Sequence, residues 1–422
     1  MRRVEGAGPR TGGGEPLVVD RATGATLVDP DGNRYTDLAG SFAAATIGHS
    51  HPDVVAAVTA QIGAASHVST AAISEQRVGF EEDLLAIVPN ELDRVLLGIS
   101  GADANDIAIR LARSLTGRRE VLAFSGGYFG RAGGVVGLNG KSSFRSRVGI
   151  DADAHFLPYP DPYRWPEALG GSAGAGAAAL DLVRQALEDP GSGIGPLAAI
   201  IVEPIQGNGG IVSPPDAFLA GLRELSDVHG IALIFDEIQS GFGRSGRMWA
   251  ADHWGVVPDL MTVGKGIGGG LALSAVVGRA SHMSHWSPGT HTSTFLGNAV
   301  NLAAGRAAIA VMCRDRLWER SADLGGRLLE RLRAGLDGHP AVGDVRGMGL
   351  FIGIELVRDR ATKEPDRERA AAVRGRAFDD GVIVAAAGRY EHVVKISPPL
   401  TIDEQQANEA VDVVIDAIRR SR

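Results

Sequence analysis

An acid and an amine stand at the ends of two apolar runs of this sequence. The run 233–235 ends in Asp236, and the run 260–263 ends one glycine before Lys265, which a group of glycines at 268–270 follows. A buried carboxylate beside a pyridine nitrogen keeps that nitrogen protonated, which turns the ring into an electron sink. An amine can bind a carbonyl group covalently as a Schiff base. The pair therefore suggests a site for pyridoxal phosphate.

The scarcity of lysine strengthens this interpretation of Lys265. Arginine cannot form a Schiff base, and nearly all basic residues of the chain are arginine; the only lysines are Lys141, Lys265, Lys363 and Lys395. A surface lysine is the ordinary alternative, but the apolar and glycine neighbours of Lys265 fit it poorly. Asp236 could also do no more than cap its turn. Gln239, three residues further on, could donate a hydrogen bond to a ring oxygen.

Two segments are candidates for binding a phosphate group. The segment 100–105 follows an apolar run and opens a helix, so the N–H groups of Gly101 and Ala102 and the helix dipole could hold an anion. An ordinary N-cap is the simpler interpretation of that segment taken alone. The segment 291–298, which includes Thr294, offers hydroxyls and N–H groups just before another helix and is a weaker candidate.

Other candidate residues lie after further apolar runs. In the segment 125–131, glycines surround two aromatic residues, so the Tyr128 ring could pack on a planar ligand, although a core or rim tyrosine is more common. Arg131 could bind a carboxylate bidentately, or it could form a surface ion pair. Glu203 follows the run 197–202. Ligands bind at the carboxyl ends of strands in open α/β sheets, so these residues are expected at one crevice.

Composition narrows the function classes. The chain has 422 residues, 44% of them hydrophobic and 22% charged, with a net charge of -8, which argues against nucleic acid as a partner. The first residues lack the apolar core of a signal peptide, and no apolar run reaches the roughly 18 residues that span a bilayer. Cys313 is the only cysteine, so neither a disulfide within the chain nor a cysteine-based metal site is expected. We expect a cytoplasmic enzyme without a metal ion or a membrane contact.

The order of apolar runs and helical segments predicts an α/β fold. The runs that read as buried strands of a mostly parallel sheet are 94–99, 121–124, 197–202, 231–235, 260–263 and 272–277. The Gly/Ala segment 170–179 is predicted to be a surface connection before a helix at 180–187. We expect an N-terminal arm and part of a small domain at 1–50, a large domain at 51–310 and the rest of the small α+β domain at 311–422.

In this order and spacing, these segments resemble the class III aminotransferases of the 4-aminobutyrate and ornithine aminotransferase kind. The resemblance covers about residues 15–420 and is most specific at 236–246 and 264–266. It implies fold type I, a homodimer and pyridoxal phosphate at the subunit interface. By position, Lys265 matches the Schiff-base lysine, Asp236 the partner of the pyridine nitrogen and Gln239 the contact to the ring hydroxyl.

The resemblance also implies roles for the remaining cofactor candidates. Gly101 and Ala102 match the phosphate-binding turn, and Tyr128 matches the aromatic residue that stacks on the ring. Thr294 matches the threonine that reaches the phosphate from the other subunit. Glu203 matches a position beside the cofactor.

The sequence departs from the resemblance at three positions. Ala102 stands where many relatives have a hydroxyl residue, Asn208 where the 4-aminobutyrate enzymes have glutamate, and Lys395 where they have the arginine that binds the α-carboxylate. An ammonium group cannot reproduce the bidentate guanidinium fork, which puts the use of 2-oxoglutarate in question. Arg131 matches the residue that holds the distal carboxylate of the substrate, and Phe42 is a further substrate candidate.

The predicted activity is amino transfer from a primary amine, of the ω-amino acid kind, to a keto acid. A racemase, aminomutase, decarboxylase or phospho-lyase would present a similar cofactor shell, so these reactions remain alternatives. A nicotinamide-dependent oxidoreductase is a third interpretation, although no Gly-x-Gly-x-x-Gly turn opens the first βαβ unit. A protein that kept the fold but lost catalysis is a fourth.

Overall fold

The strands of this protein belong to three sheets, seen in a computed structural model that describes residues 17–68, 72–146 and 153–421. In chain order they are β1 (Arg21–Thr23), β2 (Thr26–Val28), β3 (Arg34–Asp37), β4 (Arg94–Gly98), β5 (Glu120–Phe124), β6 (Ala154–Leu157), β7 (Leu197–Val202), β8 (Ala232–Asp236), β9 (Leu260–Val263), β10 (Ser274–Gly278), β11 (Val342–Met348), β12 (Phe351–Leu356), β13 (Val382–Ile383), β14 (Ala385–Ala387) and β15 (Val393–Ile396).

Helices connect these strands and cover the sheets. They are α1 (Gly40–Ala43), α2 (Pro52–Ala64), α3 (Glu75–Leu85), α4 (Gly101–Thr116), α5 (Ser142–Arg145), α6 (Gly171–Glu188), α7 (Ala217–His229), α8 (Ala280–Met283), α9 (Ala299–Arg314), α10 (Leu317–Leu336), α11 (Arg367–Asp379) and α12 (Glu404–Arg419). In the parts of the chain that the structure describes, none of them combines the length and the apolar character needed to cross a membrane.

The largest sheet has the strand order β4-β10-β9-β8-β7-β5-β6. From β9 to β6 all neighbouring strands run parallel, and β10 alone is antiparallel to both of its neighbours. Strand β7 is buried along its whole length. Its alternate residues pack on α4 on one face and on α6 and α7 on the other, which explains a continuous apolar run without polar alternation. The predicted α/β fold with a mostly parallel central sheet is confirmed.

Two smaller sheets join the two ends of the chain. In the first, of order β1-β2-β3-β13, the C-terminal strand β13 lies parallel to the N-terminal strand β3, with Val382 opposite Thr36. The second is antiparallel, of order β11-β12-β15-β14, and packs under α10, α11 and α12. The residues near the N-terminus are therefore held by strands that come more than three hundred residues later.

The prediction for the Gly/Ala segment 170–179 is wrong. It forms the first half of α6, which begins at Gly171 rather than near residue 180. Alanine has the highest helix propensity, and here small residues also allow close packing. Gly176 lies against Pro215, because a Cβ added to this glycine would be 3.0 Å from the proline Cβ, and Ala175 and Ala179 are buried beside α7. The Gly/Ala composition of this segment reflects a helix that packs closely against Pro215 and α7.

Candidate active site

Three ionisable side chains meet where adjacent parallel strands end. Asp236 is the last residue of β8, Glu203 follows β7 directly, and Lys265 follows β9 after one glycine. Asp236 and Glu203 are only 3% and 5% exposed. The charges of both carboxylates act on the Lys265 amine. The structure thus brings together at one sheet edge three residues that are 33 and 29 positions apart in the sequence.

The Asp236 carboxylate is held by two hydrogen bonds. It accepts one from the Asn105 side-chain amide at 2.8 Å and one from the Ile238 backbone N–H at 2.9 Å. Burial raises the pKa of Asp236, and both hydrogen bonds and the positive charge of Lys265 oppose that rise. Hydrogen bonds to the ionised form favour it, so the surroundings of Asp236 support a carboxylate despite its burial.

Asn105 is a site residue that the sequence analysis missed. It is fully buried in α4. Its amide oxygen accepts a hydrogen bond from the Thr262 hydroxyl at 2.8 Å, and its NH2 group donates to the Phe129 carbonyl at 3.0 Å as well as to Asp236. The Thr262 hydroxyl thereby fixes the amide so that the NH2 group faces the acid. The only signal in the sequence was that the polar residue Asn105 lies on the same helix face as the apolar residues Ile109 and Ala112.

Lys265 occupies an unusual backbone conformation. Its φ is 47°, in the left-handed region that non-glycine residues rarely adopt. The following residue must be glycine, because a Cβ on Gly266 would lie 2.5 Å from the Thr46 hydroxyl oxygen. Burial lowers the pKa of the Lys265 amine, although the Asp236 and Glu203 carboxylates oppose this. Backbone strain of this kind concentrates at functional sites.

Glu203 connects two loops at the sheet edge. One carboxylate oxygen accepts the Tyr128 backbone N–H at 2.9 Å and the other accepts the Gly207 N–H at 3.0 Å. Burial and the negative charge of Asp236 raise the pKa of Glu203, while the two N–H groups and Lys265 oppose that rise. Glu203 therefore holds the turn after β5 against the turn after β7.

Gln239 and Phe42 touch across the edge of the site. The Gln239 NH2 group lies 3.5 Å from the Phe42 carbonyl oxygen. Gly207 leaves the space that Gln239 occupies, since a Cβ on Gly207 would be 2.6 Å from the Gln239 amide carbon. The Phe42 side chain is 54% exposed. The Gln239 amide is thus set between the loop after β7 and the turn that carries Phe42.

The turn that carries Phe42 is held in a left-handed conformation. Ser41, Phe42 and Ala43 have φ values of 48°, 60° and 63°. Such a conformation costs about 1–2 kcal/mol per non-glycine residue. Asp37 offsets this cost by accepting the N–H groups at positions 39, 40 and 41 at 2.9 to 3.1 Å, and His49 binds the same carboxylate at 2.8 Å.

The N-terminus of α4 offers free donors beside these residues. Ser100 caps the helix by accepting the Asp103 N–H at 3.3 Å. The N–H groups of Gly101 and Ala102 have no acceptor in the described part of the chain, as expected for a first helical turn. Ala102 packs under Gly130, where a Cβ would come within 2.8 Å of the Ala102 Cα. The site therefore includes an anion-binding helix terminus.

Within one chain, Thr294 is not part of this group of site residues. It is exposed in the segment between α8 and α9. Across the described ranges, no hydrogen bond joins it to Asp236, Glu203 or Lys265. Its predicted contact to a phosphate across a subunit interface stays a prediction.

Tyr128 and Arg131 share an aromatic neighbour. The half-buried Tyr128 ring meets the Phe144 ring edge-on, with centroids 5.7 Å apart. The exposed Arg131 guanidinium lies over Phe144 at 4.0 Å and 6.0 Å from the Tyr128 ring centre. Burial raises the pKa of the Tyr128 hydroxyl, and the charge of Arg131 opposes this.

Lys395 is a buried cation without a partner. It is 1% exposed in β15, and within the described residues its amine makes neither a hydrogen bond nor an ion pair. Burial lowers the pKa of Lys395 to about 7, and the positive charges of Lys265 and Arg244 add to this, while Glu203 opposes it. Arg244 is also buried, and two of its guanidinium nitrogens lack an acceptor. An excess of positive charge here favours an anionic ligand.

Asn208 lies on the loop after β7, and the structure describes no side-chain contact between it and Lys395. Its carbonyl accepts the Gly388 N–H at 3.0 Å, which ties this loop to the chain leading into β15. Within the described residues, Asn208 and Lys395 therefore lie at these two positions without pairing with each other.

These residues fit pyridoxal phosphate. The donor set contains a buried carboxylate for a ring nitrogen, an amine for the carbonyl group, an amide for a ring oxygen and free N–H groups for a phosphate. In the described residues there is no cluster of His, Cys, Asp or Glu that could hold a metal ion.

A mostly parallel sheet with an acid, a lysine and an anion site at its strand ends defines a fold type I enzyme. Residues 9–418 match the family "Aminotransferase class-III", and the chain belongs to this family of aminotransferases. It is 35% identical to a diaminobutyrate–2-oxoglutarate aminotransferase of Haemophilus influenzae, over 96% of this chain and 91% of the relative.

Two further comparisons show how far the similarity extends. The chain is 38% identical to an isoleucine 2-epimerase of Lentilactobacillus buchneri, over 95% of this chain and 89% of that protein. The fold is similar to an amine transaminase from an uncultivated Pseudomonas species in its PLP-bound form, with a TM-score of 0.91, 30% identity and coverage of 98% of each chain. The predicted family and fold type are confirmed, and the interpretation as a nicotinamide-dependent oxidoreductase is wrong.

Proposed function

We propose that this aminotransferase moves the amino group of an ω-amino acid-like donor to a keto acid, with pyridoxal phosphate held at the described strand ends. Lys265 is the covalent attachment point, Asp236 pairs with the ring nitrogen, and Gln239 faces the ring oxygen. The observation that carries the proposal is that Lys265 lies beside a buried acid whose ionised form Asn105 favours with a hydrogen bond.

The remaining cofactor contacts follow from the same geometry. The N–H groups of Gly101 and Ala102 bind the phosphate at the start of α4, and Tyr128 packs its ring on the cofactor. Glu203 sets the distance between the Tyr128 turn and the loop after β7 through its two backbone hydrogen bonds. When bound, pyridoxal phosphate supplies the electron sink that makes a proton on the amine-bearing carbon acidic.

Lys265 carries the proton transfer. Burial lowers the pKa of its amine, which increases the fraction present as a free base. Lys265, freed when the donor amine takes its place on the cofactor, would remove a proton from the donor carbon as base and, as acid, deliver it to the cofactor carbon rather than back to the donor carbon. The buried strand ends around Asp236 and Glu203 exclude water from this exchange.

Four side chains hold the substrate. Arg131 binds the distal carboxylate of the donor, and Lys395 binds the carboxylate of the keto acid because it is the buried cation without a partner. Phe42 forms an apolar wall, and Asn208 contacts the substrate from the loop after β7. A single ammonium gives a weaker and less directional clamp than a guanidinium, so we expect pyruvate to compete well with 2-oxoglutarate as acceptor.

Lys265→Ala tests this proposal. The purified variant should show no cofactor covalently bound at position 265 and negligible transamination, because the amine that follows β9 beside Asp236 and Glu203 is gone. Borohydride reduction followed by peptide mass analysis should locate the cofactor on the Lys265 peptide of the wild type. Lys363→Ala is the matched control, since Lys363 donates to the Tyr163 carbonyl away from the strand ends. A normal cofactor spectrum in Lys265→Ala that borohydride removes would contradict the assignment.

Racemisation is the second candidate, because one similar protein carries the name isoleucine 2-epimerase. Supplying a donor amine without a keto acid separates the two reactions. Transamination converts the bound cofactor to pyridoxamine phosphate in proportion to enzyme, whereas a racemase leaves it in the pyridoxal form while the optical activity of an amino acid decays.

A further inference from the structure

The turn that leads to Tyr128 is built against a rigid neighbouring segment. Gly140 lies so close that a Cβ there would be 2.6 Å from the Phe124 carbonyl oxygen. Asn139, fully buried, accepts the Phe129 N–H at 2.9 Å and donates to the Gly130 carbonyl at 2.7 Å. These contacts fix the position of the next residue, Lys141, at the edge of the cofactor site.

Lys141 and Arg131 approach the same aromatic ring. The Lys141 amine is 5.4 Å and the Arg131 guanidinium 4.0 Å from the centre of the Phe144 ring. In the ranges that the structure describes, neither cation has a carboxylate within ion-pair distance, unlike surface arginines such as Arg110. Burial lowers the pKa of Lys141, and the positive charges of Arg367 and Arg131 add to this, while the negative charge of Glu391 opposes it.

A third cation, Arg389, lies beside the start of this turn. Arg389 lies with its Nε 3.6 Å from the position of a Cβ on Gly126, between the turn and the loop of Asn208. It is exposed and has no ion pair among the described residues. The nearby acid, Glu391, is already bound to Arg367 at 2.7 Å. Within the described residues, Arg131, Lys141 and Arg389 thus lie near the Tyr128 turn without an ion pair, in a chain whose net charge is -8.

We infer that Arg131, Lys141 and Arg389 form a site for a substrate tail that carries two negative charges, as a phosphate or a pair of carboxylates does. The inference rests on the proposed function and narrows its donor class. One carboxylate on Arg131 would leave Arg389 without an ion partner among the described residues and Lys141 with only the Glu391 charge that Arg367 already binds, whereas a dianion between them would bind all three. Charge-assisted hydrogen bonds of this kind are about twice as strong as neutral ones.

Measuring ligand binding to the holoenzyme tests the inference without requiring catalysis. Isothermal titration compares ethyl phosphate and ethylmalonate, both dianions, with butyrate, a monoanion of similar size. We expect the dianions to bind more tightly, and Lys141→Met and Arg389→Gln each to weaken dianion binding by about tenfold or more. Tighter binding of ethyl phosphate alone assigns the tail to phosphates, and tighter binding of ethylmalonate alone to dicarboxylates.

Arg145→Gln is the matched control. Arg145 lies on the same short helix as Phe144 but faces the Phe156 ring at 4.2 Å. The dianion preference should survive this change. An equal loss of dianion affinity in Arg145→Gln and Lys141→Met would overturn the inference. It would show that the dianions respond to the general positive charge of this surface rather than to a defined site. Binding of the dianions no tighter than butyrate would also overturn it.

The half-reaction separates this inference from the proposed function. If 4-aminobutyrate converts the cofactor to pyridoxamine phosphate while phosphoethanolamine and aminoethylmalonate are no better as donors, the aminotransferase proposal stands and the dianion site is wrong. If none of these amines converts the cofactor but the dianions bind as expected, the site stands and the donor proposal is wrong.

Discussion

At the scale of single residues, Asn105 controls the charge state of Asp236. Replacing Asn105 with alanine removes the amide hydrogen bond that favours the carboxylate, so the pKa of Asp236 should rise further. We expect kcat/KM to fall by about tenfold to a hundredfold, since a hydrogen bond to a charged group contributes about 1.5–3 kcal/mol. The pH profile of kcat/KM measures the change.

The sign of the pH effect distinguishes this role from a structural one. Because the group must be ionised, activity is lost as pH falls through its pKa, and a higher pKa moves the acidic limb of the profile to higher pH. Thr262→Val, which removes only the hydroxyl that fixes the amide, should move the limb in the same direction by less. An unchanged limb with uniformly lower activity would show that Asn105 only packs the helix.

Lys395 should make carboxylate recognition depend on pH. Its pKa of about 7 means that the amine is charged below this pH and neutral above it. The kcat/KM for pyruvate should therefore fall as pH rises through about 7, whereas Lys395→Arg should remove that fall because a guanidinium stays charged. Butylamine is a donor without a carboxylate, so the pH profile of its kcat/KM shows the effect of all titrating groups other than Lys395. Identical pyruvate profiles in wild type and Lys395→Arg would contradict the role.

The sequence predicted these residues unequally, for physical reasons. Asp236, Lys265 and Gln239 follow the ends of apolar runs and stand near glycines. This local pattern predicts turns that carry reactive side chains. Asn105 carries no such pattern, because its partners come from β8, β9 and the Phe129 turn, and the sequence does not show that these converge. The lack of any ion pair at Lys395 is likewise visible only once the strands around it are placed.

At the scale of elements, a buried ion network joins the two parts of the chain. Glu355 in β12 is 1% exposed at its side chain and binds Arg346 of β11 at 2.7 Å and Arg164, from the loop after β6, at 2.5 Å. His392 lies 3.3 Å from the same carboxylate. Burial alone would raise the pKa of Glu355, but these neighbours lower it to about 2. Arg346 also donates to the Gly210 carbonyl, which fixes the loop that carries Asn208.

Glu355→Gln should therefore destabilise the fold strongly. Removing one partner of a buried ion pair costs about 3–5 kcal/mol, because the remaining charges stay buried without compensation. Denaturant unfolding at neutral pH measures the loss. The difference from wild type should shrink as pH falls from 4.5 towards 2, where Glu355 itself becomes protonated in the folded state.

A surface pair provides the control for that measurement. Glu364 is 63% exposed and lies 3.5 Å from Arg358. Glu364→Gln should cost less than about 1 kcal/mol, the usual range of exposed pairs. Equal effects of Glu355→Gln and Glu364→Gln would show that the buried network does not hold the two parts together.

The strands could be predicted from the sequence where their hydrophobic runs are continuous. They could not be predicted where packing against neighbouring elements determines whether a strand forms. Strands β7 and β9 have the predicted bounds, since buried parallel strands are apolar throughout. Strand β6 was missed because it lies at the sheet edge and is only half-buried, and β11 because Gly, Asp and Arg interrupt its pattern. The division of the chain at residues 50 and 310 stays a prediction.

At the scale of the whole molecule, several large apolar side chains remain uncovered. Phe42, Ile73 and Phe295 are 54%, 77% and 62% exposed. Phe42 belongs to the site edge, and Phe295 adjoins Thr294. Exposed apolar surface of this kind marks interaction sites. We therefore predict a homodimer in which these side chains are covered, to be measured by light scattering of the holoenzyme; a monomer at working concentration would contradict it.

Mixed dimers can show whether Thr294 acts across that interface. Lys265→Ala and Thr294→Ala chains with different tags are co-expressed, and the mixed dimer is isolated by both tags. If Thr294 serves the partner's site, both defects fall in one site and the other site is intact, so the mixed dimer should recover about half of the wild-type activity because sites act independently by default. If Thr294 serves its own chain, each site carries one defect, and the activity should not exceed the mean of the two variant homodimers.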